Sequence, residues 1–210
     1  MTLERATGLV TRTRPLTETS LIVQWLTRDL GRVATVAKGA RRPKSPFRGQ
    51  IDLFYVAELS FARSSRSDLH TLREVRLVES HAALRSDLAY LRQASYCAAL
   101  VEQTIEPEAP VPVVFDTFVG MLGQLASRPA QPQTIFGFEM KLLRELGLEP
   151  KLAETHLTAG SRQILERLLE ADWSDIFRLR LSAGQVAEIR AYLHGFLIYH
   201  LGKIPRGNPY

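Results

Sequence analysis

Two hydrophobic periods divide this chain, and the change between them falls near residue 80. Up to Glu79 the apolar residues come in short β-branched or alternating runs, the pattern of strands. These runs are Thr7–Thr13, Leu21–Leu26, Arg32–Ala37, Ile51–Phe61 and Leu69–Val78. In Ile51–Phe61, the residues Leu53, Tyr55, Ala57, Leu59 and Phe61 alternate onto one face. Asp29-Leu30-Gly31 turns the second run into the third, and the polar stretch Arg63–Asp68 turns the fourth into the fifth. Five short strands at this spacing suggest a small barrel, and the five-stranded Greek-key OB-fold is the expected form.

Past Glu79 the period becomes helical. Ser86-Asp87 caps a helix that carries Leu88, Leu91, Ser95, Ala98, Glu102 and Ile105 and ends at Pro107 and Pro110. Pro112 opens a second, Val113–Leu125, closed by the proline-rich Arg128–Pro132. A third, Thr134–Leu146, stops at Gly147 with Pro150 behind it. A fourth covers Gly160–Ala171. A fifth covers Ser182–Leu201, with Val186, Ile189, Leu193, Phe196, Leu197 and His200 expected inward. The expected fold class is therefore α+β: an OB-fold nucleic-acid-binding domain over residues 1–80 and an all-α helical domain over 81–210.

Charge is divided in the same place. Residues 1–80 hold 14 Lys/Arg against 8 Asp/Glu, whereas residues 81–210 hold 13 against 14. The excess concentrates in Gly31–Arg48, where a β-branched strand breaks into a loop. Arg32, Lys38, Arg41, Arg42, Lys44 and Arg48 follow one another there, with no acidic residue between Asp29 and Asp52. Such a cluster either decorates a solvated face or meets a polyanion. The asymmetry favours a nucleic-acid module joined to a neutral one. Lysine and arginine would neutralise phosphates and release counterions. The aromatics Trp25, Phe47, Phe54 and Tyr55 lie nearby. Strand positions make Trp25, Phe54 and Tyr55 core residues, while Phe47, in the loop, is open to core packing or base stacking.

Other chemistries find little support. Gly39-Ala-Arg-Arg-Pro-Lys44-Ser45 approaches a phosphate-binding P-loop, but Pro43 stands where a glycine must precede the lysine, and it has no N–H to offer a phosphate. The histidines 70, 81, 156, 194 and 200 are scattered without ligand spacing, and His200 reads as a core residue. The single cysteine, Cys97, lies among alanines, excludes an internal disulfide and reads as a small buried hydrophobe. Glu166/Glu170 and Asp172/Asp175 read as solvent faces. No G-x-S-x-G elbow occurs, and no enzyme is expected. Lys141 and Arg144, on an ordinary surface helix, are candidates to receive an acidic, apolar peptide tail. The opening residues lack the apolar stretch of a secretory signal, and no run of about eighteen apolar residues occurs, so a cytoplasmic protein without membrane contact is expected.

R-P-L-T-E-T-S-L at Arg14–Leu21, G-R-V-A-T-V-A-K-G-A-R-R at Gly31–Arg42, Ser45, and L-H-T-L-R-E-V-R-L at Leu69–Leu77 carry a resemblance to the RecO family of bacterial DNA repair proteins. F-E-M-K-L-L-R-E-L-G-L at Phe138–Leu148 and L-G-K at Leu201–Lys203 extend it. It implies an N-terminal OB-fold, a helical domain, and binding and annealing of single- and double-stranded DNA. It also implies partnership with RecR and with the acidic C-terminal tail of single-strand-binding protein. Many members carry a zinc-binding cysteine cluster in the helical domain; Leu148–Ser161 is short and cysteine-free here, so no cofactor is expected. The closing I-P-R-G-N-P-Y also departs from the usual family ending.

The combined expectation is a non-enzymatic DNA-binding and strand-annealing mediator of recombinational repair. Its expected DNA-binding residues are Arg12, Arg14, Arg32, Lys38, Arg41, Arg42, Lys44 and Arg48. An RNA-binding OB module and an adaptor docking an acidic protein are the competing readings, since phosphates of both polymers look alike.

Overall fold

A computed structural model describes residues 2–205 of the chain. The tail of the closing heptapeptide, residues 206–210, lies outside the described residues. The chain forms two compact units: Met1–Ala82 with Ile105–Val119, and Ala83–Thr104 with Gly120–Tyr210.

The first unit is a closed barrel of five strands: β1 (Leu3–Pro15), β2 (Leu21–Thr27), β3 (Gly31–Ala37), β4 (Val56–Ala62) and β5 (Leu69–Glu79). The order around the barrel is β1-β2-β3-β5-β4, with β3 and β5 parallel and the other neighbours antiparallel. This is the expected OB-fold topology. β3 alternates strictly, with Val33, Thr35 and Ala37 inward and Arg32, Ala34 and Val36 outward. Inside, Val10, Val23, Trp25, Leu59, Phe61 and Leu72 fill the core. The indole N–H of Trp25 donates to Thr35 Oγ1 at 2.9 Å, so the one polar atom of the ring is satisfied.

The fourth strand is shorter than its alternation predicts. Ile51–Tyr55 is a turn, and Phe54 adopts φ +64°. Phe54 N–H donates to Val10 O, and Val10 N–H to Tyr55 O, both at 2.9 Å. The turn thus hangs on β1 and buries Phe54 edge-on against Phe118, 6.4 Å away. Leu53 and Tyr55 keep the strand's alternation in the sequence but are only half-buried, and the buried ring of the turn is Phe54 between them.

In the second unit the helices are α1 (Leu88–Thr104), the end of α2 (Pro112–Leu125), α3 (Pro132–Glu145), α4 (Ala159–Glu170), α5 (Trp173–Ile176) and α6 (Ala183–Leu201). Short 3₁₀ turns at Ala82–Ser86 and Leu152–Glu154, and the four-residue α5, have no signature in the apolar period. The third helix is no surface helix. Every residue from Gln133 to Met140 is buried, and it packs against α1, α4, α5 and α6. Phe136, Met140 and Leu143 meet Leu165, Leu168, Ile176, Ile189, Leu193 and Leu197. Gly147 ends α3 at φ +70°, where its N–H bonds Arg144 O and that of Leu148 bonds Leu143 O. Ser182 and Gln185 close a reciprocal capping box at the start of α6. The buried stripe of α6 is Ile189, Leu193 and Leu197. His200 lies off that stripe and is exposed, its ring 4.3 Å from Phe196, which corrects its expected core position. Cys97 is fully buried, as its sequence neighbours predict.

Candidate nucleic-acid interface

The loop from Lys38 to Tyr55 is a succession of tight turns. Backbone N–H groups of Ala40, Arg42, Ser45, Arg48 and Gln50 each donate to the carbonyl three residues earlier, at 3.0–3.3 Å. Two further ties fix it to the turn between β1 and β2. Arg41 N–H donates to Thr19 O at 2.9 Å, and its guanidinium to Thr17 O at 3.2 Å. Arg48 Nη1 closes the loop on itself at Pro43 O. Phe47 is the apolar anchor: only 8% exposed, it packs into the barrel core beside Val10, Trp25 and Leu59. The stacking reading of Phe47 therefore falls; Trp25 and Phe54 are buried as expected, and Tyr55, expected in the core, is only half-buried against it, so among these four rings none is fully exposed beside the loop cations.

Lys38, Arg41, Arg42, Lys44 and Arg48 are all exposed. The side chains of Lys38, Arg42 and Lys44 have no partner among the described residues. Glu18, in the adjoining β1–β2 turn, forms no ion pair with them. Arg12 and Arg14, exposed on β1, stand opposite Gln24 and Ile22 of β2 and share the outward face with Ala34 and Val36. Their outward direction follows from a bulge between Val10 and Arg12, which resets the alternation of β1. Like charges held on a short, ordered loop repel one another and favour any polyanion that spans them.

Arg32 stands apart from this group. It is half-buried at the start of β3, and its Nη1 donates to Ile105 O at 2.6 Å. A second cluster, not foreseen from the sequence, lies close by. Arg63 is held by Glu4 at 2.6 and 3.0 Å and by Glu108 at 2.6 Å. These carboxylates raise the Arg63 pKa, and their bonds to its guanidinium hold both carboxyls below their ordinary range. The other oxygen of Glu108 is 2.9 Å from His70 Nε2, and Ser64 N–H donates to His70 Nδ1. That donor fixes the ring proton on Nε2, from which it is donated to Glu108. The partners are separated by 38 to 59 residues, so no local motif announces them.

A hollow of the barrel unit, ≈ 560 Å³, lies elsewhere, across β1, β4 and β5. Its charges are mixed, Arg5 and Arg76 with Asp29, Glu58 and Glu74, and Arg76 is already paired to Glu58 at 2.7 Å. A phosphate backbone needs a cationic surface rather than one of mixed, already paired charge, so the loop is the better candidate. In the helical unit, Lys141 and Arg144 are not open cations either. Lys141 donates to Leu169 O, and Arg144 pairs with Glu149 and Glu170. A hollow of ≈ 280 Å³ beside Arg144 is rimmed by Glu149, Glu166 and Glu170, which would repel an acidic peptide. Among the described residues, no three His, Cys, Asp or Glu side chains gather as metal ligands, and no helix is long and apolar enough to cross a membrane.

Comparison with known proteins bears on this barrel and its loop. The family described as recombination protein O, N terminal, matches residues 1–81, and recombination protein O, C terminal, matches residues 85–159. The DNA repair protein RecO of Anaeromyxobacter dehalogenans strain 2CP-C is 34% identical over 233 residues, covering 95% of this chain and 92% of that protein. RecO of Symbiobacterium thermophilum is 30% identical, covering 94% of this chain and 92% of its own length. RecO of Bacillus subtilis strain 168 is 33% identical over 150 residues, 71% of this chain and 58% of that protein.

Proposed function

The chain belongs to the RecO family of DNA repair proteins, and from that premise we propose that it binds DNA through the Lys38–Arg48 loop and anneals complementary strands without catalysing a covalent step. The observation that carries this reading is the ordered loop whose Lys38, Arg42 and Lys44 side chains are unpartnered among the described residues. Arg41 and Arg48 extend the same surface, and Arg12 and Arg14 continue it along β1. With the nearby rings Trp25, Phe47 and Phe54 buried and Tyr55 half-buried against the barrel core, contact is with phosphates and carries no sequence information. That suits annealing, in which any two complementary strands must be accepted. Cations between two backbones lower their mutual repulsion while base pairing selects the partner.

As a mediator in homologous recombination, the protein would act in the cytoplasm with RecR and with the acidic tail of single-strand-binding protein, and without a cofactor. Five loop cations each meeting one phosphate give a salt dependence of about −3.5 in log K against log [salt] for single strands, at about 0.7 per phosphate. The test is annealing of two complementary 60-mers, one labelled with a donor and one with an acceptor dye, with and without single-strand-binding protein lacking its tail. Acceleration that depends on protein and falls with salt supports the reading. Rates equal to spontaneous annealing overturn it. Matched DNA and RNA strands, compared at one salt concentration, separate it from an RNA-binding module.

A further inference from the structure

The cations of the barrel fall into two groups. Among the described residues, Lys38, Arg42 and Lys44 have no side-chain partner, whereas Arg28, Arg32 and Arg63 all donate to the segment Ile105–Asp116, Arg63 sharing its guanidinium between the segment and Glu4 of β1. Arg28 makes a bidentate pair with Asp116, Nε to Oδ1 at 3.0 Å and Nη2 to Oδ2 at 2.9 Å. Arg32 Nη1 bonds Ile105 O, while Glu108 N–H returns a bond to Arg32 O at 3.0 Å. Arg63, at the start of the β4–β5 loop, is clasped between Glu4 and Glu108. His70 holds the free oxygen of Glu108 and so orients the clasp.

The segment lies down because Gly31 lets it. A Cβ on Gly31 would sit 2.0 Å from Ala109 O, and the residue has φ +68°. Glu108 itself is at φ +58°, a conformation that L residues seldom adopt, so the contact is held by its surroundings. In OB-folds, strands 2–3 and the β4–β5 loop are places where oligonucleotides lie. Carboxylate and carbonyl oxygens here accept from guanidinium groups that would donate equally well to phosphate oxygens.

We propose that Ile105–Asp116 is a built-in competitor for nucleic acid, covering a second phosphate-binding patch made by Arg32 and Arg63. When the segment lifts, the patch takes the DNA backbone and lengthens the contact begun at the Lys38–Arg48 loop. The proposal rests on DNA binding at that loop.

The test is binding of a fluorescent single-stranded 30-mer, titrated by anisotropy across a KCl series. Glu108→Gln removes the carboxylate from Arg63 and keeps a carbonyl acceptor for His70. The expected result is a salt slope steeper by about 0.7, and an affinity about fivefold higher at 0.1 M salt, for one added phosphate contact. Gly31→Ala displaces the segment with every charge intact, and the same gain is expected from it. Arg63→Gln then weakens binding about fivefold more in the Glu108→Gln background than in the parent. Three results overturn the proposal: an unchanged slope in both single variants, a gain that survives in Glu108→Gln/Arg63→Gln, or equal effects of Arg63→Gln in both backgrounds. If the parent binds but shows one of these, only the competitor falls. If parent and variants alike fail to bind the 30-mer, the DNA-binding reading falls with it.

Discussion

Glu139 is the least expected charge in the protein, and replacing it by glutamine gives a sharp test of the helical core. The residue lies on α3, 2% exposed, and accepts a hydrogen bond from the Tyr96 hydroxyl at 2.5 Å. Burial pushes its carboxyl up to about 7 from an ordinary 4.5, and the Tyr96 bond only partly opposes this. The folded state therefore keeps a proton that the unfolded chain releases above about pH 4.5. This part of the stability is fully present below pH 4.5, declines as pH rises towards about 7, and is flat beyond. At about 1.4 kcal/mol per pH unit, the loss between pH 5 and 8 is on the order of 2–3 kcal/mol. Glu139→Gln keeps an acceptor for Tyr96 and has nothing to titrate. Urea unfolding followed by helical circular dichroism, from pH 5 to 8.5, should show the variant gaining that amount on the parent as pH rises. Parallel pH profiles for parent and variant would refute a buried, protonated Glu139.

Three further outcomes follow from the packing. Phe47→Ala should cost about 3 kcal/mol in thermal melts and weaken DNA binding with no change of charge, because the loop loses its apolar anchor. Ser182→Ala opens the capping box of α6 and should lower stability by about 1 kcal/mol, seen as a lower urea midpoint at constant slope. Trp25→Phe strands the Thr35 hydroxyl in the barrel core, at a cost of about 1–3 kcal/mol. The Trp25→Phe/Thr35→Val pair should cost less than the sum of its single changes, and additivity would show that the bond is not a shared one.

The parts of the fold legible in the sequence are those governed by local rules. The alternation in Arg32–Ala37, the stop at Gly147 and the proline opening α2 each act within a few residues. The basic loop was visible for the same reason, as a contiguous run of cations. Its rigidity was not, since it depends on Phe47 reaching a core assembled from distant strands. Leu53 and Tyr55 show how periodicity misleads: an apolar turn with one positive φ, at Phe54, keeps the alternation of a strand without being one. On α3, Lys141 and Arg144 suggested an ordinary surface helix, yet packing by α1, α4, α5 and α6 buries Glu139 and half-buries Lys141. The seat of Ile105–Val119 in the barrel unit is likewise tertiary. It joins Arg28, Arg32 and Arg63 to residues 45 to 88 positions away, and no window of sequence spans such a distance.

The most direct test of the loop as a phosphate clamp is the Lys38→Ala/Arg41→Ala/Arg42→Ala/Lys44→Ala variant, measured for salt-dependent binding and for strand annealing. Removing four phosphate contacts should flatten the single-strand salt slope by about 2.8 and abolish accelerated annealing. The circular dichroism of the folded chain should be kept, because Phe47 and the backbone turns remain. A folded variant that binds and anneals oligonucleotides as well as the parent at equal salt would contradict the assignment of DNA binding to this loop.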